Sequence, residues 1–141
     1  SIEDIGYGKG YLFALAIWRS FLDGMGALRA EKGMSVILIA HATIQRFENP
    51  ETSGYDRYTP RLHKGAAALV QEWSDEVLFA QYRVFTKQEE GAFNKKTSKG
   101  IGGGERIMRT EERPAHLAKN RLQLPFEMPL DYNEYAKYLT K

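Results

Sequence analysis

Seven consecutive residues, Met34 to Ala40 (MSVILIA), constrain this chain more than any other feature in it. The run is continuous and rich in branched side chains rather than alternating, which is the pattern of a strand buried on both faces. Such a strand needs hydrogen-bonded neighbours beside it and cover above and below. Ahead of it Tyr11, Leu15, Trp18, Leu22 and Met25 step by four and three, with Ala14, Ile17, Phe21 and Leu28 widening the apolar face. This spacing predicts an amphipathic helix, closed by Arg29, Glu31 and Lys32, with Gly33 as the residue just past its end. A helix feeding a doubly buried strand predicts an α/β unit with a parallel sheet.

Downstream, Ala42 to Pro60 reads as a long polar loop with two prolines, one glycine and two tyrosines, and a loop of that length is usually functional or disordered. Arg61 to Trp73 returns to helical spacing through Leu62, Ala66, Leu69, Val70 and Trp73. Asp75 to Thr86 reads as a strand, and Gln88 to Gly104 as a lysine- and glycine-rich hairpin tip. Glu105 to Glu111 and Ala115 to Lys119 read as short strands, and Tyr132 to Leu139 as a terminal helix. The expected organisation is an α/β part over 1–82, a basic hairpin part over 83–121 and a tail helix over 122–141.

Composition narrows the function classes. With 43% hydrophobic and 27% charged residues the 141-residue chain is globular. Zero cysteines exclude a disulfide scaffold, a thiolate zinc site and a cysteine nucleophile. The longest apolar run, Tyr11 to Trp18, is far shorter than the ~20 residues that span a bilayer, and no signal-peptide pattern appears. A soluble, intracellular domain without a membrane partner is expected. The net charge of +2 hides an asymmetry: residues 83–121 hold ten Lys/Arg against five Asp/Glu, while the remainder is mildly acidic. One basic third suggests a surface that faces a polyanion; a solvated hairpin with lysine-decorated edges is the ordinary alternative.

Several motifs test negative. Gly6-Tyr7-Gly8-Lys9-Gly10 lacks the spacing of a phosphate loop, since Tyr11 stands where Ser or Thr is required and no strand precedes it. Gly100-Ile101-Gly102-Gly103-Gly104 likewise fails the dinucleotide fingerprint. His63 and His116 have no partners at metal-ligand spacing, and no metal site is expected. Asp75 and Glu76, adjacent on a strand, would point to opposite faces, so Asp75 reads as a turn residue.

Two features remain. His41 follows the apolar run, and ligands of open α/β sheets bind beyond the carboxyl ends of strands. Lys119 and Arg121, two apart in Ala118-Lys119-Asn120-Arg121, would share a face in extended chain and could converge on one anion.

The order of these pieces resembles that of phage-type AAA/RecA-like P-loop ATP-binding proteins. The resemblance rests on GYGKGY at 6–11, MSVILIAHATIQRFENP at 34–50, YDRYTPRLHKGAAALVQEWSDEVLFA at 55–80 and TEERPAHLAKNR at 110–121, and it covers nearly the whole chain. It implies a partial RecA-like core with parallel strands flanked by helices and a C-terminal antiparallel hairpin. It implies that His41 senses a nucleotide γ-phosphate, and that Lys119 and Arg121 reach the ATP of a neighbouring subunit. It implies single-stranded DNA contacts from Lys9 in a first loop and from Arg46, Tyr55, Arg57 and Tyr58 in a second. ATP and Mg2+ are the implied cofactors, a homo-oligomer on DNA the implied assembly, and the cytoplasm of a phage's bacterial host the implied location.

The sequence holds neither a Walker A lysine nor an apolar strand ending in a Walker B aspartate. The expectation is therefore the C-terminal portion of a longer ATPase for recombination or replication, which alone does not hydrolyse ATP. The competing expectations are a non-catalytic nucleic-acid or protein interaction module, and an unrelated α/β enzyme that uses His41.

Overall fold

The computed structural model describes residues 9–51, 53–90 and 96–139, and over 85–90 and 96–103 the backbone alone. Two compact units follow one another, Ser1–Asp75 and Glu76–Lys141.

The first unit opens with helix α1, Lys9–Lys32. It ends as its spacing predicts: Gly33 takes φ +62°, a conformation glycine adopts without steric cost, and its N–H donates to the Arg29 carbonyl at 3.1 Å. Helix α2 spans Lys64–Trp73 and starts later than Arg61 because His63 caps it, its Nδ1 accepting from Gly65 N at 3.4 Å. The two helices pack together: Tyr11 stacks on His63 at 4.4 Å, Leu15 lies over Gly65, and Trp73 Nε1 lies beside Gly26. These contacts advance in the same direction along both helices. A Cβ on Gly65 would come within 3.0 Å of Leu15, so the glycine sets how closely the helices approach.

Between the helices the structure departs from expectation twice. The run Met34–Ala40 forms no strand, and Ile37 and Ile39 are 74% and 95% exposed. The supposed loop 42–60 is instead an antiparallel hairpin of β1, Ala42–Phe47, and β2, Tyr55–Pro60. One cause explains both. A doubly buried strand requires partners on both edges, and the two described strands of this unit, β1 and β2, pair in register with each other and not with 34–40. The parallel RecA-like core is thus corrected to small antiparallel sheets in a mixed α/β chain. The hairpin itself follows from β-prone Thr43, Ile44 and Phe47 facing Tyr55, Tyr58 and Thr59 across the turn-forming Asn49-Pro50.

Exposed Met34, Ile37, Leu38 and Ile39 form an apolar, unpaired stretch of the kind that templates association. The double change Ile37→Lys with Ile39→Lys should leave stability within ~0.5 kcal/mol, as expected of exposed positions, while suppressing concentration-dependent association. Unchanged light scattering across a dilution series would refute this.

The second unit is built on a long two-stranded arm, β3, Phe79–Glu90, against β4, Lys96–Arg109. Its register slips between Tyr82 and Val84, where β4 bulges through Gly104 at φ +73°, a second conformation suited to glycine. The base of β4 pairs on its other edge with β5, Glu127–Pro129. Here both sheet faces are covered, because consecutive Ile107 and Met108 are 0% and 7% exposed. Met108, Leu124 and Met128 form the core, with Leu78, Leu122, Tyr135 and Tyr138 packed around it. Helix α3, Tyr132–Ala136, brings Tyr135 in, and the turn that follows it brings Tyr138. The helix is capped by Asp131, whose carboxylate accepts from Asn133 N at 2.7 Å and Glu134 N at 3.2 Å.

Candidate functional site

In the first unit the candidate residues gather on the β1–β2 hairpin and its base. Residues directly opposed in an antiparallel pair share a face, so the register divides them. Tyr55 opposes Phe47 and Arg57 opposes Gln45, on one face. Tyr58 opposes Ile44 and Arg46 opposes Asp56, on the other. On the first face Arg57 is 9% exposed, its guanidinium 5.1 Å over the Phe47 ring, and Tyr55 leans on the same ring at 5.3 Å. That cation–π cluster orders the hairpin. On the second face Arg46 pairs with Glu48 at 3.3 Å and Asp56 at 3.7 Å, its side chain 57% exposed, beside exposed Tyr58 and Ile44. The water-facing candidates are therefore Arg46 and Tyr58.

His41 precedes β1 and is exposed, and its carbonyl accepts from Arg61 N at 2.7 Å, closing the hairpin's base. Because 34–40 is not a strand, His41 stands at the root of a hairpin and not beyond the end of a parallel sheet. Lys9 is exposed on the first residue of α1, which puts it in helix instead of loop; Gly6 to Gly8 lie outside the described residues.

In the second unit Lys119 and Arg121 lie in the segment that returns from β4 towards β5. Lys119 is part-buried and exchanges both backbone hydrogen bonds with Val77 at 2.9 Å, and Arg121 is exposed at the bend that follows. Glu76 Oε1 accepts from Arg121 N at 2.9 Å. Asn120, between the cations, turns inward: Oδ1 accepts from Leu124 N at 3.0 Å and Nδ2 donates to Leu124 O at 2.9 Å. The extended geometry expected for 119–121 thus ends at Asn120.

The basic third is partly neutralised by carboxylates of its own unit. Arg83 bridges Glu105 at 2.8 Å and also pairs with Glu127, which holds Arg109 on its other oxygen. Arg113 pairs with Glu111 at 3.1 Å, and Arg109 and Arg113 both lie over Phe126, at 5.0 and 4.7 Å. These arginines are structural. His116, 6% exposed, stacks on Phe79 at 5.4 Å; its Nε2 lies 3.0 Å from the Glu111 carbonyl, so Nε2 carries the proton. Asp75 pairs with Arg29 at 2.6 Å, as a residue ending the first unit.

The sequence does not single out Thr110 and Asn120, and it weighs Glu76 only beside Asp75 and not as a partner of the Arg121 backbone. All three are neutral or acidic members of phrases whose cations attract notice, and their spacing carries no periodic signal. Among the described residues, no group of three or more His, Asp or Glu could hold a metal ion, and no helix is long and apolar enough to cross a membrane. By charge alone Lys119 and Arg121 suit a phosphate anion, and among the described residues no cluster of three or more carboxylates or histidines suits magnesium.

A family model described as an AAA domain matches residues 1–122. Comparisons with curated proteins and with solved structures gave no significant match.

Proposed function

The chain belongs to the AAA domain family, a family of nucleotide-binding ATPase type, and from that membership we propose that it supplies the phosphate-sensing and DNA-contacting parts of a RecA-like ATPase that works as an oligomer in phage recombination or replication. Lys119 and Arg121 would serve the phosphates of a neighbouring subunit's nucleotide, and His41 would sense the γ-phosphate within its own subunit. Bound ATP would supply the phosphoryl group passed to water. The chain's part is positive charge: a guanidinium fork and an ammonium set where charge develops during phosphoryl transfer. Arg46 and Tyr58 on the open face of the β1–β2 hairpin would contact single-stranded DNA, by phosphate pairing and base stacking, with Lys9 as an outlying contact. Tyr55 and Arg57 stiffen that hairpin from its other face through Phe47.

The observation that carries this reading is the Lys119–Arg121 segment. Its backbone is tied to Val77 at Lys119 and to Glu76 at Arg121, and the Asn120 side chain fastens it to the backbone of Leu124, so two cations are held on a stiff support. Stiffly held donors cost little reorganisation when an anion arrives.

Fluorescence anisotropy with a labelled single-stranded oligonucleotide tests the DNA part. Affinity should fall as salt rises, and Arg46→Ala should reduce the log–log salt slope by ~0.7, the loss of one phosphate contact to a single strand. Undetectable or salt-independent binding would remove DNA as the partner. The pairing of Arg46 with Glu48 and Asp56 favours, in that event, a protein-binding module built on the same hairpin.

A further inference from the structure

Lys119 and Arg121 are separated by a residue that carries no charge and reaches no solvent anion. Both polar atoms of the Asn120 side chain are engaged by the backbone of Leu124, at 3.0 and 2.9 Å, copying the paired hydrogen bonds of an antiparallel ladder. This closes a five-residue loop in which Gln123 takes φ +57°, a conformation that costs a residue with a side chain about 1 kcal/mol or more. Asn120 Nδ2 also lies 3.4 Å from Thr110 Oγ1. Thr110 is fully buried, its hydroxyl donates to Pro125 O at 2.8 Å and its amide to Phe126 O at 3.1 Å. The loop is thereby fastened to the end of β4. From the opposite side Glu76 Oε1 receives the Arg121 amide at 2.9 Å, next to the Val77–Lys119 bridge.

We propose that Asn120 and Glu76 are positioning residues for the Lys119–Arg121 cation pair: Asn120 holds the loop that presents the pair, and Glu76 fixes the backbone from which Arg121 leaves. The proposal rests on the phosphate role of Lys119 and Arg121 given above. Neither positioning residue touches the anion. Both act through backbone groups, and displacing such donors by about 1 Å costs ~100-fold at an organised site and less at a simple anion site.

Glu76 separates this proposal from plain electrostatics. Were its carboxylate a counter-charge to Arg121, Glu76→Ala and Glu76→Gln would both strengthen anion binding, since each removes one negative charge. As a hydrogen-bond acceptor for the Arg121 amide it is replaced by the amide oxygen of glutamine and not by alanine. The test is calorimetric titration of the full chain with inorganic tripolyphosphate, with folding followed by circular dichroism. Glu76→Ala should weaken binding about tenfold, while Glu76→Gln binds as well as the parent or better. Asn120→Ala removes both hydrogen bonds to Leu124 without changing the charge, and should weaken binding to a similar degree; if it fails to fold, the Glu76 pair decides alone. The double change Lys119→Ala with Arg121→Ala tests the underlying reading separately. If it leaves tripolyphosphate binding unchanged, the phosphate role falls and the positioning role with it. If it abolishes binding while Glu76→Ala binds as the parent or more tightly, the phosphate role stands and the positioning role is wrong.

Discussion

Ile107→Ala should destabilise the unit Glu76–Lys141 by ~3 kcal/mol. Ile107 has no exposed surface and lies where β4 pairs with both β3 and β5. Its side chain faces cover on a sheet whose other face is filled by Met108. Removing three carbons there loses their transfer energy and leaves a cavity, because neighbours pinned by two ladders relax little. Urea denaturation followed by circular dichroism measures the loss. Ile17→Ala, at a position 56% exposed on α1, is the control and should change stability by less than ~0.5 kcal/mol. Equal effects at the two positions would show that Ile107 does not anchor a core.

Glu127→Ala should cost ~2 kcal/mol, by a different route. One carboxylate serves two arginines, Arg83 through Oε1 and Arg109 through Oε2. All three side chains are 20–30% exposed, so solvent screens the group more than it would a buried triad, and the cost lies below the 3–5 kcal/mol of a fully buried pair. Without Glu127 the two guanidinium groups are left as neighbours with one carboxylate, Glu105, near Arg83. Glu127→Gln retains an acceptor and should lose about half as much. Rising salt should narrow the gap between Glu127→Ala and the parent, since it screens the repulsion that remains. A gap that does not respond to salt would assign the loss to packing under β5 instead.

Helices were the legible part of this sequence. The four-and-three stepping from Tyr11 and the glycine at 33 mark α1 and its end because a helix encodes its own boundaries locally. Strands did not yield as readily. MSVILIA is apolar enough to be a doubly buried strand, but strand formation is decided by partners and not by the segment, and the described strands nearby pair with each other. The 42–60 hairpin is obscured by Pro50, Gly54 and Pro60, which suggest a loop although they sit at its turn and its base. The candidate cations at 119 and 121 could be named from their charge and spacing. Asn120 and Glu76 could not, because their roles depend on contacts with Leu124 and with the Arg121 backbone amide, across a backbone reversal that no periodicity announces.

The Val77–Lys119 bridge has a kinetic consequence. Its two hydrogen bonds join residues separated by the whole β3–β4 arm. Closing so long a loop directly is entropically costly, whereas zipping the arm from its tip shortens the loop step by step. The arm must therefore form before the bridge, and the segment that carries Lys119 and Arg121 is among the last parts of its unit to be tied down. Once made, the bridge is backed by the Asn120 and Glu76 contacts, so the last part to be tied down is fastened at three points in the native state.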